Sequence, residues 1–239
     1  MRIIAVIPAR FEAQRFPGKL LADLNGKTVL HRTYEAVVET HLFDEVWVAT
    51  DSDQIEMHVH SLGGKVFRSM LDHDCGSNRV AECVQDIDAD VVINVQGDEP
   101  FISKKALADL IKAFKKDTVK SIDLASLMIP IETQEDLENP NIVKVVTDQQ
   151  GRALYFSRAP IPFMRSQGRA FRHIGIYAFR KAALLDFYAQ QPTHLEKAEK
   201  IEAIRYLEMG KVMQMLQTDF IGVGIDTPED LERAKALLG

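Results

Sequence analysis

The sequence predicts an α/β fold built around a mostly parallel sheet with helices on both faces. Short apolar runs typical of buried strands alternate with amphipathic helical patterns through the first half of the chain. The middle then becomes strand-rich before helices return. No repeat, low-complexity stretch or linker divides the 239 residues. We therefore expect one domain, 1–239, with an inserted antiparallel, strand-rich section at about 120–180.

The elements of the first half follow from their apolar spacing. Residues 53–62 form a helical pattern that ends at Gly63 and Gly64, and residues 78–87 carry apolar side chains at helical spacing. Two further helices are predicted in "TVLHRTYEAVVET" and "SKKALADLIKAFKK". Buried strands are predicted between these helices, in "IIAVI", "DEVWVAT", "KVF" and "DVVINV". This order of strand and helix is typical of a parallel sheet.

The second half mixes hairpin and helix signals. A hairpin is predicted where "DQQGR" joins "IVKVVT" to "ALYF", with Gly151 in the turn. Helices are predicted over 181–189 and 195–209. The last helix begins at Thr227, with Pro228 in its first turn. Further strands are predicted in "LASLMIPI", "HIGIYAF" and "VMQMLQT".

Composition and charge exclude several classes of function. The net charge of -6 argues against broad nucleic-acid binding, which requires a basic face. No apolar run is long enough to cross a bilayer, and the first one is too short for a signal peptide. Cys75 and Cys83 are too few for a secreted disulfide framework. We expect a cytoplasmic protein with no membrane insertion and no nucleic-acid partner.

Three cations follow the first predicted strand: Arg10, Arg15 and Lys19. The loop lacks the G-x-G-x-x-G of dinucleotide-binding turns, and "NGKT" has Leu21 where a P-loop needs glycine, so it is expected to form an Asn-Gly turn. Ligands bind α/β sheets beyond the carboxyl ends of the strands, where these cations are expected. A polyphosphate site and three solvated side chains are about equally compatible with this loop alone.

Carboxylates follow the strand "DVVINV" in "NVQGDEP". Asp98 should emerge at the same edge of the sheet as Arg10, and a carboxylate facing phosphates makes sense with Mg²⁺ between them. An ordinary polar turn is the alternative. Asp226, in "GIDTPEDL", is a second candidate, although locally a role at the helix N-terminus is favoured.

Other polar residues have ordinary structural interpretations when taken singly. Arg79 can be a solvated residue of a capped helix, and His173, within an apolar strand, is more often a hydrogen-bonded core residue than a catalyst. Glu196, Glu199 and Glu202, spaced three apart and followed by Arg205, normally form an exposed, charged helix face.

The motifs together resemble those of the 3-deoxy-manno-octulosonate (Kdo) cytidylyltransferases, the CMP-Kdo synthetases of bacterial lipopolysaccharide synthesis. The resemblance covers essentially the whole chain, and its segments occur in order. They are "IPARFEAQRFPGK", "VATD", "GSNRVAE", "VINVQGDEP", "NPNIVKVVTDQQGRALYFSRAPIPF", "RHIGIYAFR", "LEKAEKIEAIR" and "GIDTPEDLE". The resemblance implies a Rossmann-like nucleotide-diphospho-sugar transferase fold with three α/β/α layers, usually a homodimer. It also implies CTP and a Kdo-type sugar acid as substrates, Mg²⁺ as cofactor and pyrophosphate as a product.

The resemblance also implies roles for individual residues. The CTP phosphates would be held by Arg10, Arg15 and Lys19, with Lys19 also catalytic, and their counter-charge would be the triphosphate rather than the protein. The nucleotide would further contact Gly76, Arg79 and Gln96. Mg²⁺ would be held by Asp98 and Asp226, which are thereby catalytic. The sugar-acid pocket would be lined by Arg158, His173, Tyr177 and Glu202.

Two departures from the family pattern concern the substrates. The family commonly has S-G-T-D/E-R where this chain has "CGSNR", with Cys75, Ser77 and Asn78. It commonly has L-E-Q-L-R where this chain has "IEAIR", so that Ala203 replaces a glutamine associated with the sugar side. A modified or related ulosonic acid such as 8-amino-Kdo, another transferase of the same fold, and a non-catalytic nucleotide-binding relative are therefore alternatives. A dehydrogenase is disfavoured by the missing glycine fingerprint.

Overall fold

The chain forms two compact units in the computed structural model, which describes residues 1–12, 15–71, 73, 75–220 and 222–238. The first unit comprises Met1–Lys104 and Gly222–Gly239, and the second comprises Lys105–Ile221. The strand-rich section expected at about 120–180 lies inside the second unit. The description of residues 1–239 as one domain stays a prediction.

The first unit contains a parallel sheet, as the alternating apolar runs predicted. The strands of this unit are β1 (Ile3–Ala9), β2 (Asp23–Leu24), β3 (Lys27–Thr28), β4 (Glu45–Thr50), β5 (Lys65–Arg68) and β6 (Val91–Asn94). Strand β1 pairs with β4 and β6, and β5 pairs with β4, all in parallel, while β2 and β3 form a separate antiparallel pair. Its helices before the second unit are α1 (Val29–Glu39), α2 (Asp53–Ser61) and α3 (Gly76–Val84).

Burial and capping explain these elements. Strand β1 is apolar at consecutive positions because residues on both of its faces are buried, as in other central parallel strands. The side chain of Thr28 caps α1, and that of Ser52 caps α2, each by accepting a backbone N–H. The predicted Asn-Gly turn between β2 and β3 is confirmed, since Asn25 and Gly26 both have positive φ.

The second unit is mixed, and the expected antiparallel section is confirmed. Its strands are β7 (Leu124–Ile131), β8 (Lys144–Thr147), β9 (Ala153–Ser157), β10 (Ala170–Arg180) and β11 (Met213–Gln217). Strand β7 lies between β10 in antiparallel and β11 in parallel orientation, while β8 pairs with β9 and β10 in antiparallel orientation. Its helices are α4 (Lys104–Lys116), α5 (Gln134–Glu138), α6 (Lys181–Tyr188), α7 (His194–Glu199) and α8 (Ala203–Glu208).

Two local predictions are confirmed by backbone geometry. Gly151 turns the β8–β9 hairpin with a φ of 76°, and a Cβ there would lie 2.8 Å from Nε2 of Gln214. The chain then returns to the first unit with α9 (Pro228–Leu237), which begins in a capping box between Thr227 and Asp230. Among the residues that the structure describes, no helix is both long and apolar enough to cross a membrane.

The helix predicted over 195–209 is wrong as a single element, because it divides into α7 and α8 at Lys200. Lys200 has a φ of 55°, which ends α7. The guanidinium of Arg158 donates from Nε to the carbonyl of Glu199 at 2.8 Å and from Nη2 to that of Lys200 at 3.3 Å. In an uninterrupted helix those carbonyls would accept from later N–H groups. A tertiary contact thus replaces the helical hydrogen bonds.

The exposed charged face expected from Glu196 to Arg205 is also wrong. Glu196 and Arg205 are only 8% and 2% exposed. The Arg205 guanidinium donates to both oxygens of Glu196, at 2.7 and 2.6 Å, and stacks over the Phe187 ring at 3.8 Å. The charge spacing on the helix was correct, but the two partners lie in the interior on separate helices, where a two-pronged pair satisfies both charges.

Candidate functional site

A cavity of about 930 Å³ in the first unit contains all of the predicted nucleotide and metal residues. It lies where β1, β6 and the loops that follow them reach the carboxyl edge of the sheet, together with the start of α3 and the turn before α9. The predicted residues that line it are Arg10, Arg15, Lys19, Gly76, Arg79, Gln96, Asp98 and Asp226. Residues from both ends of the first unit are therefore brought to one cleft.

Lys19 lies between the two predicted metal ligands. Its Nζ donates to Oδ2 of Asp98 at 2.5 Å and to Oδ1 of Asp226 at 2.9 Å, while Arg15 pairs with the other oxygen of Asp226 at 2.9 Å. The expectation that the protein supplies no counter-charge to these cations is wrong for Lys19 and Arg15. Burial alone would lower the pKa of Lys19, but the two carboxylates raise it, so the ammonium stays charged.

Arg10 differs from its two neighbours in the loop. Its side chain is exposed, lines the same cavity and has no ion-pair partner within the described part of the chain. Its positive charge in the cleft is therefore not neutralised by any carboxylate among the described residues. Such a group attracts anions and forms paired hydrogen bonds with phosphate oxygens.

Glu99 is a third carboxyl group beside Asp98 and Asp226, and sequence reasoning gave it no role. Burial, reinforced by the negative charges of Asp98 and Asp226, raises its pKa to about 7. Across the ranges that the structure covers, no cluster of three or more histidine, cysteine, aspartate or glutamate side chains has metal-binding geometry. Asp98 and Asp226 nevertheless both direct an oxygen at one cation, the Lys19 ammonium. That donor set fits Mg²⁺, which is usually held by one or two carboxylates plus substrate oxygens.

Arg79 lies in the first turn of α3, which begins at Gly76 rather than at residue 78 as predicted. The solvated interpretation of Arg79 is wrong, because the residue is only 5% exposed. Its Nη2 donates to Oδ2 of Asp51 at 2.5 Å, whereas its buried Nη1 has no hydrogen-bond partner in the part of the chain that the structure describes. Burial alone would raise the pKa of Asp51, but the Arg79 guanidinium lowers it, so the pair is ionic.

Sequence reasoning missed Asp51 and His73. Asp51 follows strand β4 as Asp98 follows β6, and that shared position at a strand end could have identified it. His73 also lines the cavity, and its Nε2 lies 2.6 Å from Oε2 of Glu82, which in turn accepts from the Ser69 hydroxyl. No local pattern in the sequence indicates that His73 and Glu82 would meet.

A second, smaller cavity of about 310 Å³ lies within the second unit. It contains the four residues predicted for the sugar acid: Arg158, His173, Tyr177 and Glu202. Arg172 and Lys200 add two cations that sequence reasoning did not select. Ala203 is fully buried and is not part of the lining, which Ile201 and Glu202 supply at that point.

The guanidinium of Arg158 makes hydrogen bonds to three backbone carbonyls. Besides its bonds to the carbonyls of Glu199 and Lys200, its Nη1 donates to the Pro140 carbonyl at 2.9 Å. The buried Lys144 ammonium donates to the Arg158 carbonyl at 2.5 Å. The Arg158 side chain therefore joins the segments at Pro140 and at Glu199 and Lys200, and it retains N–H groups for a ligand.

His173 has the hydrogen bond expected of a histidine in an apolar strand. Its Nε2 lies 2.8 Å from the Ser126 hydroxyl, and its ring contacts Phe156 and Tyr177 at centroid distances of 5.0 and 5.3 Å. Burial lowers its pKa to about 3, so the ring is neutral at physiological pH. A neutral imidazole can bind a ligand through a hydrogen bond but is a weak base.

The parallel sheet and the cationic, carboxylate-edged cleft at its carboxyl edge define a nucleotide-binding α/β protein. A family model described as cytidylyltransferase matches residues 4–214. Two relatives are named 3-deoxy-manno-octulosonate cytidylyltransferase. The one from Christiangramia forsetii is 57% identical, covering 99% of this chain and 97% of the relative. The one from Flavobacterium johnsoniae is 56% identical, covering 100% and 99%.

A solved structure agrees with these relatives. It is described as CMP:2-keto-3-deoxy-manno-octonic acid synthetase complexed with CTP, and it matches with a TM-score of 0.94 and 35% identity over 100% of this chain and 98% of that chain. The predicted fold class, α/β with a mostly parallel sheet and an antiparallel section, is confirmed. The chain belongs to the cytidylyltransferase family and, within it, to the 3-deoxy-manno-octulosonate cytidylyltransferases.

Proposed function

We propose that this enzyme transfers CMP from CTP to the anomeric hydroxyl of Kdo, giving CMP-Kdo and pyrophosphate for lipopolysaccharide synthesis. The observation that carries the proposal is the first cavity, where two carboxylates flank one ammonium beside further cationic side chains. The family supports the same reaction, since similar proteins are named for it and a similar structure was solved with CTP.

The cations of the first cavity account for triphosphate binding. Arg10 supplies a guanidinium that has no ion-pair partner among the described residues, while Arg15 and Lys19 are paired with carboxylates in the free protein. Phosphate oxygens offer Arg15 and Lys19 alternative partners of higher charge density. Arg79 donates to Asp51 from Nη2, and its Nη1, which has no hydrogen-bond partner among the described residues, would donate to the nucleotide, with Gly76 and Gln96 nearby.

Asp98 and Asp226 would hold Mg²⁺. When bound, the ion would neutralise phosphate charge and lower the pKa of the attacking hydroxyl. Glu99, whose carboxyl has a pKa of about 7, adds little negative charge to the metal site below neutral pH. Lys19 would stabilise negative charge on the phosphates during transfer.

The lining of the second cavity suits an acidic polyhydroxy sugar. Arg172 and Lys200 provide cations for a carboxylate, and Glu202 and His173 provide acceptors for hydroxyl groups. Tyr177 and Arg158 complete the predicted set.

In the reaction the anomeric oxygen bonds to the α-phosphorus, the bond from that phosphorus to the bridging oxygen breaks, and pyrophosphate leaves with the electron pair. The hydroxyl proton passes to solvent, and positioning and charge stabilisation are the main tasks of the protein.

Homodimer formation and a cytoplasmic location belong to the same proposal. The second unit exposes Phe163, which is 86% accessible, and Leu154, which is 60% accessible. In the proposed homodimer the second copy of the chain would cover these two side chains. A cytoplasmic enzyme would have direct access to CTP. Sedimentation equilibrium should give twice the 26.9 kDa chain mass, and a monomer at micromolar concentration would exclude the dimer.

Pyrophosphate release tests the proposed function. The wild-type protein is assayed with CTP and Mg²⁺ while Kdo, 8-amino-Kdo and a sialic acid are offered separately. Release with Kdo supports the proposal; release only with 8-amino-Kdo would identify a modified ulosonic acid as substrate. If no pyrophosphate were released with any of the three acids, a non-catalytic relative or another sugar substrate would be favoured.

Variants of the first cavity test the assigned roles. Asp98→Asn and Asp226→Asn should abolish turnover and leave the folded structure intact by circular dichroism, since both residues line the cleft. Near-full activity of either variant would refute the metal assignment. Lys19→Ala should lower kcat, and a raised KM with normal kcat would instead mean that Lys19 only binds substrate.

A further inference from the structure

The imidazole ring of His173 lines the second cavity and can present either a hydrogen-bond donor or an acceptor there. A neutral imidazole carries its proton on one ring nitrogen and accepts at the other, so its partner decides which face a ligand meets. For His173 that partner is the hydroxyl of Ser126, a fully buried residue of β7, at 2.8 Å from Nε2. Within the described part of the chain, Nδ1 of His173 has no hydrogen-bond partner.

The hydroxyl of Ser126 has only one proton, and its surroundings decide where that proton points. Oγ lies 3.0 Å from the carbonyl oxygen of Ile174 and 2.8 Å from that of Ile176. Carbonyl oxygens can only accept. The proton therefore points to one of these carbonyls, and Oγ must accept from Nε2–H of His173. If the hydroxyl donated to Nε2 instead, two carbonyl oxygens would face an oxygen that offers them no proton.

The backbone of β10 produces this arrangement. The register of β10 on β7 shifts between Ile174 and Tyr177, and Ser126 lies opposite Tyr177 in that register. An irregularity of this kind re-aims groups at a functional site. Here both carbonyls on either side of Gly175 reach one buried hydroxyl, which in turn holds the imidazole.

We propose that Ser126 is a positioning residue that fixes His173 as the Nε2–H tautomer, so that Nδ1 faces the ligand as an acceptor. The cavity then selects a ligand that offers a hydroxyl or ammonium proton at this point and disfavours an ether, carbonyl or carboxylate oxygen there. The cations Arg172 and Lys200 take the ligand carboxylate, and Glu202 joins His173 as an acceptor for donor groups. Only the identity of the ligand, a polyhydroxy sugar acid, rests on the proposed function.

The tautomer can be measured without any substrate. Two-dimensional ¹⁵N–¹H long-range spectra of protein labelled with ¹⁵N-histidine separate Nε2–H from Nδ1–H rings, and His173→Gln assigns the signal. The wild-type protein should show the Nε2–H pattern. In Ser126→Ala the ring loses its acceptor and should show a mixture of the two tautomers. A wild-type ring in the Nδ1–H form overturns the proposal even if the enzyme is active.

Kinetics test the consequence for the ligand. Ser126→Ala should raise KM for the sugar acid about tenfold, the effect expected for one misplaced hydrogen bond, and leave KM for CTP unchanged. Thr40→Val is the matched control, because Thr40 is also a buried hydroxyl donating to a carbonyl, but in the first unit. It should change neither constant.

Two outcomes separate the inference from the proposed function. If Ser126→Ala changed both KM values equally, or if neither changed, Ser126 would have a structural role only and the inference would be wrong. If no sugar acid supported turnover, the proposed function would fail, while the wild-type tautomer would still confirm or refute the role of Ser126 in orienting His173.

Discussion

The imidazole of His173, which lines the second cavity, should make the protein sensitive to acid, and substituting His173 should remove that sensitivity. Burial lowers the pKa of His173 to about 3, against 6.5 for a solvated histidine. Between these two pKa values the unfolded chain therefore binds a proton on His173, whereas the folded protein leaves the ring neutral. The contribution of His173 to stability is complete above pH 6.5 and is lost as the pH falls towards 3.

The magnitude follows from the difference between the two pKa values. Each pH unit below 6.5 costs about 1.4 kcal/mol while the folded ring stays neutral, so the loss is about 2 kcal/mol at pH 5 and about 3 kcal/mol at pH 4. In a domain of ordinary stability such a loss is a large fraction of the total. His173→Gln retains an amide donor for Ser126 but has no titrating ring.

Urea unfolding at pH 8 and pH 5 measures this effect. The wild-type protein should lose about 2 kcal/mol more between these pH values than His173→Gln does. His60→Gln is the control, because the His60 side chain is 60% exposed, and it should behave as the wild type. The comparison concerns the change with pH, so any fixed cost of the substitution cancels. If His173→Gln lost as much stability as the wild type, the neutral ring of His173 would not be the cause of acid sensitivity.

Three further predictions concern residues whose surroundings the sequence did not reveal. Glu196→Ala should lower the free energy of unfolding, measured with urea, by about 3 to 5 kcal/mol because it leaves Arg205 charged and buried. The double variant Glu196→Leu/Arg205→Met should recover most of that loss. A small effect of the single variant would mean that Arg205 finds another partner or reaches water. Asp51→Asn should raise KM for CTP and leave KM for the sugar acid unchanged, because it releases Arg79 from its orienting partner; equal changes in both constants would indicate a general structural role. Ala203→Gln should destabilise the protein by about 1 to 3 kcal/mol in urea unfolding, because the larger side chain overpacks a fully buried position. Unchanged stability with altered sugar selectivity would show that residue 203 acts on the substrate rather than on packing.

Several features could be predicted from the sequence because short-range physics determines them. Apolar runs between helical patterns identify parallel strands, and the carboxyl ends of such strands share one edge. The loop with Lys19 and the turn with Asp98 were therefore expected in one cleft, and they lie there together. The capping box at Thr227 and the turn at Gly151 depend on only a few neighbouring residues, and both were predicted correctly.

Other features depended on which distant side chains the fold brings together. Lys200 ends a helix because Arg158, 42 residues earlier, donates to two carbonyls in that region. Glu196 and Arg205 were expected in water, but their spacing is compatible with either an exposed or a buried pair. Local propensity has no means of distinguishing these cases, since the deciding free energy comes from tertiary burial and hydrogen bonding.

The class of fold, and the edge of the sheet where the first cavity lies, can be predicted from the order of residues alone. The residues that line both cavities were predicted from the resemblance to a family. How those residues are paired became known from the folded chain: Lys19 with two carboxylates, Arg79 with Asp51, and His173 with Ser126. The difference is one of distance along the chain. Neighbouring residues determine helical and strand periodicity and the capping of helices. Charge, protonation and hydrogen-bond direction at a site depend on groups that are far apart in the chain and come into contact only after folding.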